Sequence, residues 1–133
     1  MKDREREILS QINSTYDLGL EETVNEYSRY DAENYDYIME IKKRFTFYKD
    51  TLIEFDKYTF NKEYAKIMGK SFIYAVGYDH KVYIFNISKL DADKHNYKWH
   101  WRTMPKQTEF SQTEEISKFV GYIDVEKSID QIY

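Results

Sequence analysis

A chain of 133 residues suits one domain with its own core and is too short to divide comfortably into two. Charged residues make up 33% and lie interspersed, which argues against disorder, while a net charge of -4 excludes bulk attraction to a polyanion and leaves any nucleic-acid role to a local basic surface. Cysteine is absent, so disulfides and thiolate zinc sites are excluded and a metal would be held by oxygen or histidine.

Aromatic residues reach 18%, with 14 Tyr and 8 Phe, so much of the apolar volume carries polar edges. No apolar run approaches the roughly 20 residues of a membrane span. The opening "MKDREREILSQ" is charged where a signal peptide is apolar, so a cytoplasmic location without membrane contact is expected.

Residues 3–14, "DREREILSQINS", set Ile8, Leu9 and Ile12 on one stripe, which predicts an amphipathic helix with Asp3 as N-cap and an interruption at Gly19. "TVNEYSRY" predicts a strand, and "DAEN" at 31–34 has turn chemistry. In "NYDYIMEIKKRF" the odd positions Tyr37, Met39 and Ile41 are apolar, while Asp36, Glu40, Lys42 and Arg44 occupy the even ones. That is strand periodicity, and Ile38 on the polar side predicts partial cover on both faces.

"TLIEF" reads as a further strand. "DKYTFNKEYAKIMGK" predicts a helix that starts near Asp56, packs Phe60, Tyr64, Ile67 and Met68 on the sheet and stops at Gly69. "SFIYAVGY" and "KVYIFNI" flank "DH" as a hairpin would, and continuous runs such as "FIYAV" suit a central strand buried on both faces. Beyond an irregular stretch at 91–110, "KFVGYIDV" predicts a strand and "VEKSIDQIY" a short closing helix. Helix, strands, helix and more strands make a mixed α/β order.

The succession "YDAENYDYIMEIKKR", "YKDTLIEFDKY", "AKIMGKSFIYAVGYDHKVYIFNI" over residues 30–86 resembles the core of the PD-(D/E)XK nuclease superfamily, in particular its small single-domain members from phages and mobile elements. In that pattern an Asp precedes a strand bearing Glu-x-Lys, and a helix and further strands follow. The resemblance implies a restriction-endonuclease-like fold, a mixed central sheet flanked by helices, over residues 1–133. It also implies an endonuclease that hydrolyses DNA phosphodiester bonds with Mg²⁺ or Mn²⁺. Positions i and i+2 of a strand point the same way, so Glu40 and Lys42 can converge on one phosphate. Glu40 would supply an oxygen to a hard cation that keeps several waters, and Lys42 would orient the attacking water and offset developing charge.

A second carboxylate must meet the same ion. Asp36 lies four residues from Glu40, about 13 Å along an extended strand, whereas a turn near 33–36 would bring Asp31 across from Glu40. Asp31, Glu40 and Lys42 are therefore the expected catalytic residues, with Asp31 and Glu40 as metal ligands and Asp36 in reserve. Glu22 or Glu26 would serve as the early glutamate some members of the family add, and Lys57 of "DKY" as an auxiliary basic residue. The other acid-x-Lys tripeptide, "DHK" at 79–81, falls on a hairpin turn where no site is expected.

"KHNYKWHWRTMPK" interleaves Lys94, Lys98, Arg102 and Lys106 with Tyr97, Trp99 and Trp101, a composition that can neutralise phosphates and stack on bases. The same letters describe an edge strand with Trp99 and Trp101 packed inward on one face and its charges in water. His80, His95 and His100 have no metal-ligand spacing. By itself "EIK" is also an ordinary solvated strand face. The alternative function is a nuclease fold without activity that binds a partner, such as a host nuclease or defence factor. A small acidic DNA mimic is weakened by the interspersed Lys and Arg, and a homodimer is compatible with the small size.

Overall fold

Strict alternation along residues 37–43 places two apolar sets on opposite sides of one strand, and both sides are covered. In the computed structural model, which describes residues 1–23, 28–105 and 115–132, this strand is β3 (Tyr37–Lys43), the third of a central mixed sheet. Before it come α1 (Asp3–Tyr16), β1 (Glu21–Glu22) and β2 (Ala32–Glu33). After it come β4 (Asp50–Glu54), α2 (Phe55–Met68), β5 (Ser71–Gly77), β6 (Val82–Asn86), α3 (Ile87–Ala92), β7 (His100–Pro105), β8 (Glu115–Asp124) and β9 (Asp130–Ile132). The fold is thus mixed α/β with three α-helices among the described residues, none of them long and apolar enough to cross a membrane.

The central sheet runs β1-β2-β3-β5-β6-β9, and a second sheet runs β4-β8-β7. β3 and β5 are parallel, with Glu40 opposite Tyr74 and Lys42 opposite Val76; the other pairings are antiparallel. A parallel pair needs a long crossover, here supplied by β4 and α2. Met39 and Ile41 pack with Ile8, Leu9 and Ile12 of α1, whereas Ile38 joins Phe72, Tyr74, Val76 and Phe85 with Tyr58 and Ala65 of α2. The pleat therefore sends Glu40 and Lys42 to the α2 side.

Several local expectations shift. Asp3 is the first helical residue and Lys2 the N-cap, so the acid complements the helix dipole from inside the first turn. α1 stops where Asp17 takes a left-handed conformation (φ 53°), and the Asn13 amide clasps both backbone groups of Leu20. Ala32 and Glu33 form a strand rather than a turn, because the Asn34 side chain accepts the N–H groups of Asp36 and Tyr37 and makes the reversal at 34–36. Of "TVNEYSRY", residues 24–27 lie outside the described ones.

α2 begins at Phe55 and ends at Gly69 (φ 68°) as expected, yet it buries Tyr58, Asn61 and Ala65 while Phe60, Ile67 and Met68 stay exposed. Asn61 can face inward because its amide donates to the Arg29 carbonyl at 2.9 Å. The closing segment is a short 3₁₀ turn (Val125–Lys127) followed by β9, not a helix, since Gln131 and Ile132 find the open edge of β6. The β5–β6 hairpin stands as expected, with exposed Asp79 and His80 at its tip.

The second sheet closes on the core through Gly121, opposite Ile53. A Cβ there would lie 2.8 Å from both the Trp99 ring and Tyr97 Cβ. Gly121→Ala is expected to cost about 1–3 kcal/mol, the usual penalty for overpacking, read as a lower urea midpoint at unchanged slope.

Candidate functional site

Glu40 is a charge flanked by Met39 and Ile41, and it is 5% exposed. A buried carboxylate requires partners. Lys57, in the first turn of α2, reaches it with Nζ 3.1 Å from Oε1. Lys57 can do so because β4 delivers the chain to Glu54, the N-cap of α2, beside the same face of β3.

Asp31 arrives from the other neighbour. Its backbone N–H donates to the Met39 carbonyl at 2.8 Å, its carbonyl accepts from Thr23, and its carboxylate accepts the Ile41 N–H at 2.7 Å. The side chain thereby caps the edge of β3 where β2 gives out. One Asp31 oxygen is engaged by that bond, and the acid stands close enough to Glu40 to raise its proton affinity. The remaining members are Lys42, two residues along β3, and a third acid, Glu54, whose Oε1 lies 2.9 Å from Lys118 Nζ of β8.

Electrostatics follow from burial and this alternation of signs. Burial pushes Glu40 up to about 8, Asp31 adds to the rise, and Lys57 opposes it. Asp31 is raised by burial against the Ile41 N–H, with Glu5 of α1 adding to it. Lys42 is lowered by burial and then by Arg44 and Lys57, with Glu54 and Glu40 resisting. For Lys57 burial works against the charge, but Glu40, Glu54 and Asp31 outweigh it, so the ammonium persists. Burial also opposes the Glu54 charge, and Lys118 more than offsets it.

A buried and a half-buried carboxylate beside two lysines can hold a hard divalent cation through one or two protein oxygens, the other positions being water. The donor set of Asp31 and Glu40 suits Mg²⁺ or Mn²⁺ and is wrong for a soft metal. Among the described residues no group of three or more His, Cys, Asp or Glu is placed to hold an ion by itself.

The other expected residues divide. Asp36 is exposed in the turn before β3 and its carbonyl serves Ser71, so it does not reach Glu40. Glu22 is forked by Arg6, with Nε and Nη2 each at 3.1 Å, and is not brought to Asp31. Glu26 and Lys106 lie outside the described residues. Lys94 and Lys98 are exposed at left-handed positions of the loop before β7.

Trp99 and Trp101 both pack on the Phe119 ring, at 6.1 and 5.2 Å, but only Trp99 is drawn inward. Trp99 precedes β7 and packs 4.9 Å from the rings of Phe55 and Tyr58, whereas Trp101 is 70% exposed against Phe119. Arg102 is exposed on β7 and donates to Tyr122 Oη. Glu54, Lys118 and Glu5 were not singled out by the sequence. Glu54 had one signal, its place at a strand-to-helix junction just before Lys57, while Lys118 had none because 64 residues separate it from Glu54.

No protein-family model matches the chain, and no curated protein matches it.

Proposed function

We propose that the protein is a metal-dependent endonuclease of the PD-(D/E)XK type, hydrolysing nucleic-acid phosphodiesters, DNA in the first instance, on a restriction-endonuclease-like fold. The observation that supports this reading is the Asp31 carboxylate on the Ile41 N–H, one residue along β3 from Glu40, which shares its side of the strand with Lys42. The β3–α2–β5 crossover, which brings Lys57 to the same carboxylate, is the element order that the resemblance implies.

Bound Mg²⁺ would supply Lewis acidity at the phosphate and lower the pKa of a coordinated water. Asp31 and Glu40 would hold the ion, their carboxylates oriented by the Ile41 N–H and the Lys57 ammonium respectively. Lys42 faces the reacting phosphate, where it orients the attacking water and offsets charge as the water oxygen bonds to phosphorus and the P–O ester bond breaks. The proton of that water passes to solvent, and burial lowers the proton affinity of Lys42. The departing ester oxygen takes a proton from solvent.

Incubation with supercoiled plasmid and with branched and single-stranded oligonucleotides, in Mg²⁺ against EDTA, tests the proposal. Cleavage that needs the metal is expected, together with a calorimetric Mg²⁺ isotherm that Asp31→Asn weakens by roughly tenfold or more. Absence of both cleavage and binding overturns it. In that event the second reading takes over, an inactive nuclease fold that binds a partner, which the Lys57 ammonium on Glu40 and the net charge of -4 already favour.

A further inference from the structure

Between the β3 exit and β7 runs a groove of about 590 Å³, lined among others by Arg44, Phe45, Tyr48, Lys49, Arg102 and Tyr122. That volume is in the range that encloses one small ligand. Arg44 follows Lys42 by two residues, about 7 Å of extended chain, so the groove opens just past the end of the strand that carries the candidate site. The Arg44 guanidinium is fixed by Nη2 on the Leu52 carbonyl at 3.3 Å, while its Nε has no hydrogen-bond partner among the described residues.

The loop carrying the aromatics is anchored. Phe47 packs its ring 5.1 Å from Tyr78 and 5.8 Å from Tyr83, and the rings on either side line the groove, Tyr48 at 64% exposure and Phe45 at 55% with Lys43 Nζ 5.9 Å from its ring centre. Large aromatic surface kept in water on a pinned loop is costly unless a ligand covers it. Opposite, Arg102 is oriented by Tyr122 Oη at 3.0 Å. Lys49 is partly neutralised by Asp124 at 3.6 Å, and Asp50 also lines the groove, so the positive charge is concentrated on the two arginines.

On the premise that the Asp31–Glu40–Lys42 site hydrolyses phosphodiesters, we propose that this groove is a subsite for an unpaired nucleotide next to the scissile phosphate. Its base stacks on Tyr48 and Phe45, and its phosphate lies between Arg44 and Arg102. The substrate class is then single-stranded or flapped nucleic acid. A continuous duplex keeps its bases stacked on each other and offers no face to these rings. A chain with net charge -4 cannot rely on counterion release over a broad surface, so stacking must supply much of the affinity.

The test is fluorescence anisotropy of a labelled oligothymidine and of a blunt hairpin duplex in Ca²⁺, followed by cleavage of both in Mg²⁺, with Tyr48→Ala, Arg102→Ala and the distant Lys66→Ala. Both groove residues are exposed, and a thermal melt verifies that the variants fold. Oligothymidine is expected to bind the wild type more tightly than the hairpin. Tyr48→Ala is expected to weaken it by roughly 5- to 150-fold. Lys66→Ala should bind like the wild type. Equal affinity for both ligands, no binding of either, or groove variants that bind oligothymidine unchanged each overturns the subsite. Oligothymidine cleavage unaffected by Tyr48→Ala overturns the subsite and leaves the hydrolase standing; groove-dependent binding without cleavage of any substrate does the reverse.

Discussion

Lys42→Ala is expected to lower kcat for Mg²⁺-dependent cleavage by roughly 10²–10³-fold while leaving Mg²⁺ affinity near that of the wild type, and Glu40→Gln is expected to remove both. The split follows from position. Glu40 is the acid that Asp31 faces and Lys57 braces, so its loss takes away half of the protein's oxygen set for the ion. Lys42 touches neither carboxylate in a hydrogen bond and stands two residues farther along the same face. In the proposed reaction it would therefore act on the phosphate and the water rather than on the metal. Single-turnover cleavage with calorimetry on the same preparations separates the two effects. Equal cleavage by wild type and either variant would show that the site lies elsewhere on the fold.

The second large effect is on stability and needs no substrate. Burial and Asp31 hold Glu40 protonated in the folded protein up to about pH 8, against an ordinary value of 4.5. Between those limits the folded state binds a proton that the unfolded state has released. In EDTA, stability is full below pH 4.5 and falls as the pH rises toward 8, with a slope of up to about 1.4 kcal/mol per unit from this group. Lys57 is raised instead, so its contribution is present throughout that window and is lost only at more alkaline pH. Urea denaturation across roughly pH 5–9 should show wild type declining and Glu40→Gln nearly flat. Mg²⁺ should oppose the decline increasingly with pH, because the ion binds the carboxylate and releases the proton. Identical slopes for the two proteins would mean that Glu40 is ionised in the fold without help.

Much of the strand framework was legible from period and punctuation. The alternation around Met39 and Ile41 marked a strand covered on both sides, Gly69 ended α2, and "DH" turned the hairpin. Failures came where a local pattern competed with a partner far along the chain. Phe60 and Ile67 lie at helical spacing, but the core accepted Tyr58, Asn61 and Ala65, since Asn61 could pay its polar cost on the Arg29 carbonyl. The closing segment has helical spacing too, and the vacant edge of β6 made it a strand.

What the amino-acid order alone determined is the pairing of Glu40 with Lys42 on one side of a strand, because a pleat repeats every two residues whatever surrounds it. Burial of that pair, its contact with Lys57 and the approach of Asp31, Glu54 and Lys118 were decided only by the tertiary structure. The physical reason is range. Backbone geometry acts over neighbouring residues, whereas desolvation and charge act across whatever the sheet order and the α2 crossover bring within a few ångströms.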